Sequence, residues 1–171
     1  MSQNHVANKI LRRMRASKSA SVFSAKDFLD IGSRDAVDQA FTRLVRAGKL
    51  RRISRGLYDI PRKSALVGIR APSLDSVAAA IARKSAARIA PTGAQAANLF
   101  GLSTQVPAQI WYLTDRTPRV IRVGKQSLRF DHVAPRRLAG DSTSQAVIEA
   151  LRYVGQDQVT QTDIRCHPPP P

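Results

Sequence analysis

Apolar residues recur every three or four positions through most of the first fifty residues and then at alternate positions, and the change of period predicts the elements. Ile10, Leu11 and Met14, with Val6 and Ala7 one turn earlier, line one side of a basic amphipathic helix over residues 8–15. The helix ends in a serine-rich joint, and Val22 and Phe23 then read as a short extended piece. Ser24 stands three residues before Asp27, the capping-box spacing, and predicts a second helix over 25–30. Ile31, Gly32 and Ser33 form a tight turn whose glycine can take a positive φ. Ser33 caps a third helix over 34–47, which Gly48 stops. Val37, Ala40, Phe41, Leu44 and Val45 form its core face, while Arg34, Asp38, Gln39, Thr42, Arg43 and Arg46 fill the other side. Two extended runs, 50–53 and 57–60, joined by Ser54, Arg55 and Gly56, predict a hairpin. Helix, turn, helix and basic hairpin predict a winged helix-turn-helix domain over residues 1–62.

Prolines at 61 and 72 bracket a connection of the kind found at domain edges. An alanine-rich helix is expected over 73–88, with Val77, Ala80, Ile81 and Ile89 on its apolar stripe. Pro91 breaks the chain, Thr92 caps a short helix through Leu99, and Gly101 ends it. The period then becomes two over 108–114, 119–123 and 127–133, which predicts a three-stranded antiparallel sheet with Gly124 and Lys125 as its last turn. A final helix capped from Ser142 places Val147, Ile148, Leu151 and Val154 on its buried side. The fold class is therefore α+β, with a second, mixed domain over 72–155. Residues 156–171, ending in four prolines, read as a disordered or truncated tail.

Charge narrows the function. The 171 residues hold 28 Lys and Arg against 12 Asp and Glu, net +16. Residues 1–70 carry 16 Lys and Arg against 5 Asp, net +11, and the remainder is net +5. A polyanion is the expected partner. Cys166 is the only cysteine, which excludes an internal disulfide and a thiolate zinc centre. No apolar run approaches the ~20 residues of a membrane helix, and the chain starts without a signal-peptide core, so a cytoplasmic protein with no membrane partner is expected. Asp115 and Asp131 are isolated, His5, His132 and His167 are far apart, and no glycine-rich loop carries a phosphate-binding Lys. Neither an enzyme nor a cofactor or metal is expected.

A helix fits the major groove of duplex DNA, and Arg or Gln near its start can bond guanine or adenine bidentately, which makes Arg34 and Gln39 the readout candidates. Ser33, Asp38, Thr42, Arg43 and Arg46 share that helix surface. Arg51, Arg52 and Arg55 on the hairpin are expected on phosphate or in the minor groove. The alternative, a basic RNA- or ribosome-associated protein, needs stacking aromatics, and only Tyr58 lies near the hairpin.

Residues 28–40 and 43–59, with 90–94, 97–108 and 112–115, resemble the AbiEi-type family of antitoxins and transcriptional regulators, and the resemblance spans about residues 5–155. It implies a type IV toxin–antitoxin system in bacteria. There the winged helix binds promoter repeats and represses its own operon. The second domain serves antitoxicity toward a nucleotidyltransferase-type toxin encoded nearby. By this resemblance the DNA role falls on Arg34, Gln39, Arg43, Arg46, Arg51, Arg52 and Arg55, whereas antitoxicity falls on a domain and not on residues. The sequence departs from the family pattern after Gly155. A stand-alone regulator is the reading that remains if no toxin gene is adjacent.

Overall fold

The computed structural model describes residues 3–17, 21–64, 68–104, 109–124 and 126–155. Residue 108, Lys125 and the expected tail 156–171 lie outside these. The chain is α+β and divides into two compact units between Ala86 and Ala87.

The first unit runs α1 (Gln3–Ala16), β1 (Val22–Phe23), a 3-10 turn (Ala25–Phe28), α2 (Arg34–Arg46), β2 (Arg51–Ser54), β3 (Leu57–Asp59), β4 (Arg62–Ser64), β5 (Gly68–Arg70) and α3 (Leu74–Ser85). Val6, Ile10, Leu11 and Met14 of α1 are buried with Val37, Ala40, Phe41 and Leu44 of α2, so both predicted stripes face one core. Rings of Phe23, Phe28, Phe41 and Tyr58 follow one another at centroid separations of 5.7, 5.6 and 4.7 Å. The Ser33 hydroxyl accepts from the Ala36 N–H, and Gly48, at φ +66°, closes α2. The Lys49 N–H reaches the Leu44 carbonyl and the Gly48 N–H that of Val45, the paired bonds of a glycine-stopped helix. β1 and β2 flank β3, both antiparallel to it, and Gly56 at φ +70° turns the β2–β3 hairpin.

Two expected helices are corrected in this unit, and one conformation open to a glycine goes unused. The helix predicted over 25–30 is a single 3-10 turn. The Asp27 carboxylate folds back on the Ser24 N–H at 2.7 Å and its hydroxyl at 3.2 Å, and six residues are too few to repay helix nucleation. Gly32 is not at positive φ, and a Cβ there would meet only ordinary contacts, the nearest Val6 at 3.6 Å. The alanine-rich helix stops at Ser85, short of residue 88, because Ala86 adopts the left-handed conformation at φ 48°. α3 also belongs to the first unit, so the connection at 61–72 lies inside it. Its buried stripe of Leu74, Val77, Ala78, Ala80 and Ile81 is laid against β1 and β3.

The second unit runs β6 (Ile89–Pro91), α4 (Gly93–Leu99), β7 (Ile110–Thr114), β8 (Arg119–Val123), β9 (Gln126–His132), a 3-10 turn (Pro135–Leu138) and α5 (Ser142–Val154). Its sheet has four strands in the order β6-β7-β9-β8, with β7 and β9 parallel and the outer pairs antiparallel. The expected three-stranded antiparallel sheet is thus replaced by a mixed one. Gly124 at φ +62° does turn β8 into β9, but β9, with Leu128 and Phe130 buried, takes an interior place beside β7. β8, with Arg119, Val120 and Arg122 exposed, is left at the edge. β6 holds Pro91 at its end, which is tolerated there because β6 is the other edge.

α5 is turned from its expected orientation. Asp141, not Ser142, caps it, its carboxylate accepting from the Thr143 and Ser144 N–H groups at 2.9 and 3.0 Å. Gln145, Ala146, Glu149 and Ala150 are buried, whereas Val147, Ile148 and Leu151 are 38, 38 and 39 % exposed. The reason is the partner helix. α4 presents Gly93, Ala96 and Ala97, and a Cβ at Gly93 would stand 2.6 Å from that of Tyr153 and 2.8 Å from the Glu149 carbonyl. Ala150 packs on Ala96 and Ala97 at this close approach, and Val154, the one expected stripe residue that keeps its place, packs beside them. Among the described residues no helix is long and apolar enough to cross a membrane, and no three His, Cys, Asp or Glu stand together as a metal-ligand group.

Candidate nucleic-acid interface

With 100° per residue along α2, burial of Val37, Ala40, Phe41 and Leu44 turns Asp35, Gln39, Thr42 and Arg46 directly outward. Arg34 and Asp38 lie on one flank of that surface and Arg43 on the other. Ser33 is committed to the cap, and Thr42 donates to the Asp38 carbonyl at 2.9 Å. The exposed surface of α2 therefore carries three guanidiniums and two carboxylates, much less charge than the whole unit.

Two of the candidate arginines are already engaged. Arg34 donates through Nε to Asp38 at 2.7 Å, one turn on, and that bond and charge raise the guanidinium further above its ordinary pKa. Its two Nη groups are left for another acceptor. Arg51 is held more firmly. It meets Asp59 across the hairpin through Nε at 3.0 Å and Nη2 at 2.5 Å, and Asp59 is buried. Paired residues of an antiparallel ladder share a face, so Arg51 and Asp59 point one way and Arg52 and Tyr58 the other. Tyr58 packs on Phe41 of α2. Arg52 consequently lies on the α2 side of the hairpin, and Arg51 does not.

Among the described residues no ion pair or hydrogen bond engages the side chain of Gln39, Arg43, Arg46, Arg52 or Arg55, and all but Arg43, which is half-buried, are exposed. The structure brings Arg43 and Arg46 to the last turn of α2, from which Lys49 and the hairpin follow directly.

The hairpin tip is not free. Lys84 of α3 donates through Nζ to the Arg55 carbonyl at 2.8 Å, and a Cβ on Gly56 would stand 2.7 Å from that Nζ. Lys26 in turn donates to the Lys84 carbonyl at 2.8 Å, and Arg83 to the Val22 carbonyl at 2.8 Å. Sequence reasoning missed this clamp because it placed α3 in the other domain. The signal present was a pair of cations, Arg83 and Lys84, in the last turn of a helix, a placement that helix-end electrostatics already explains.

The fold and this surface define a two-unit α+β protein with an exposed, arginine-bearing helix beside a pinned hairpin. The chain belongs to a family of unknown function, DUF6088, which it matches over residues 9–166, eleven residues beyond Gly155. Comparison with curated proteins yields no match. The crystal structure of the RV2827C protein from Mycobacterium tuberculosis is similar at a TM-score of 0.45 and 16% identity, over 82% of this chain and 54% of that one. The chain thus spans about half the length of that protein.

Proposed function

We propose that the protein is a sequence-specific DNA-binding repressor whose first unit is a winged helix, with α2 as the recognition helix and the β2–β3 hairpin as the wing. One observation carries this reading: Gln39, Arg43, Arg46 and Arg52, whose side chains make no ion pair or hydrogen bond among the described residues, project from α2 and from the α2 side of the hairpin. A helix followed by a hairpin, with β1 completing a three-stranded sheet, supports it. Arg34 and Gln39 read base edges. The Asp38 carboxylate holds Arg34 by Nε and leaves the Nη edge for guanine O6 and N7. Arg52 and Arg55 anchor phosphates, and Arg51 acts through its bond to Asp59 as a brace of the hairpin. The resemblance to AbiEi-type regulators adds an antitoxin role for a cytoplasmic protein, which growth rescue on co-expression with a neighbouring nucleotidyltransferase-type toxin checks.

The DNA reading is tested by fluorescence anisotropy of the full chain against the duplex upstream of its own gene and a shuffled duplex, over a salt series. Each phosphate neutralised adds about 0.9 to the slope of log K against log salt. Arg34→Ala is expected to cost about 1–3 kcal/mol at one base position, and Arg55→Ala to weaken all duplexes alike. Equal affinity for both duplexes at physiological salt would contradict sequence-specific repression.

A further inference from the structure

The second unit holds a cluster that DNA binding by the first does not use. Arg136 and Arg137, on the 3-10 turn, and Arg152, on the last turn of α5, line one open cavity. The turn is fixed by Leu138, buried with Ala90 and Leu113. Glu149 organises two of the three arginines. Its side chain is 2 % exposed, and its carboxylate accepts from Arg137 Nε and Nη2 at 2.9 and 2.7 Å and from Arg152 Nη1 at 3.0 Å.

Three guanidiniums around one cavity repel one another, and among the described residues the only carboxylate bonded to them, Glu149, carries a single charge. The cluster is left at net +2. Among the described residues Arg152 uses one donor on Glu149 and keeps its Nε and Nη2 groups, and the Arg136 side chain makes no hydrogen bond or ion pair. Surface arginines usually splay into water to lower this repulsion. Here a buried carboxylate holds two of them in place, and the planar, multi-donor guanidinium suits a phosphate oxygen pair.

We propose that Arg136, Arg137 and Arg152 form a binding site for a phosphate-bearing small anion, with Glu149 as the residue that positions Arg137 and Arg152. The ligand class is a free phosphate or polyphosphate group, such as a nucleotide carries. The site lies on the second unit and α2 on the first, and a simple absence of pyrophosphate binding leaves the DNA reading untouched.

The test is calorimetric titration of the full chain with inorganic pyrophosphate at physiological salt. Saturable one-to-one binding is expected, weakened about tenfold by Arg136→Gln and again by Arg152→Gln, since a hydrogen bond to a charged group contributes on that order. Arg122→Gln removes the same charge from the exposed edge strand β8 and is expected to change the affinity less than about twofold. Absence of saturable binding overturns the proposal. So does an Arg122→Gln loss equal to that of Arg136→Gln, which would mean diffuse attraction by net charge. Titration with a short duplex in place of pyrophosphate separates the sources: a duplex affinity that falls with Arg136→Gln, with no pyrophosphate binding, assigns the arginines to DNA and also overturns it.

Discussion

α2 and α5 are both thirteen residues long, both start from a capping side chain, and both carry an apolar stripe, yet they bury opposite kinds of surface. α2 turns Val37, Phe41 and Leu44 into an aromatic core. α5 turns Gln145 and Glu149 inward beside Ala146 and Ala150 and leaves Val147, Ile148 and Leu151 partly in water. The difference lies in the partner. α1 offers the larger side chains of Val6, Ile10, Leu11 and Met14, whereas α4 offers Gly93, Ala96 and Ala97 at close range. An apolar stripe is buried only where its neighbour supplies matching volume. A carboxylate can take its place if guanidiniums reach it, as Arg137 and Arg152 do.

The sharpest way to break the comparison is to truncate equivalent leucines. Leu44→Ala in α2 is expected to cost about 2–5 kcal/mol in urea unfolding. If it cost no more than a surface change, the first unit would not be organised around this core. Next comes Gly93→Ala, which forces a methyl against Tyr153 and the Glu149 backbone and is expected to cost about 1–3 kcal/mol. An unchanged unfolding midpoint would mean that α4 and α5 do not approach so closely.

Glu149→Gln follows, at about 1–2 kcal/mol near neutrality, below the full cost of a broken buried pair because Arg137 and Arg152 can still hydrate. Burial pushes the Glu149 carboxyl up, but the hydrogen bonds and charge of Arg137 and then Arg152 outweigh it and hold the group below its ordinary value. The unfolded chain therefore takes up the proton first as pH falls. The stabilisation is complete above the ordinary glutamate range and is lost as pH drops through and below it. Wild type and Glu149→Gln should accordingly converge in strong acid, and a gap that stays constant from neutrality to acid would contradict the ion-pair account. The smallest change is Leu151→Ala, within about 0.5 kcal/mol, as for other exposed positions.

The same contrast explains what could be read from the chain in advance. The stripes of α1 and α2, the Ser33 cap, the Gly48 stop and the Gly56 turn were legible, because each is decided within a few residues. The burial side of α5 was not, since it depends on the bareness of α4, and the place of β9 between β7 and β8 depends on which strand can be covered on both edges. The candidate site divides likewise. Positions around α2 follow from helical period, and so does their exposure. The locking of Arg51 by Asp59 depends on hairpin register, and the Lys84 hold on Arg55 joins residues 29 apart, which no local period encodes.

The central claim is that α2 and its hairpin, rather than the equally long α5, meet duplex DNA. Amide chemical-shift mapping of the full chain, titrated with the duplex upstream of its gene, tests this most directly. The account predicts saturable shifts concentrated over residues 33–49 and 51–57, with α5 unmoved. Shifts centred on α5 and the β6-β7-β9-β8 sheet, with α2 silent, would contradict it.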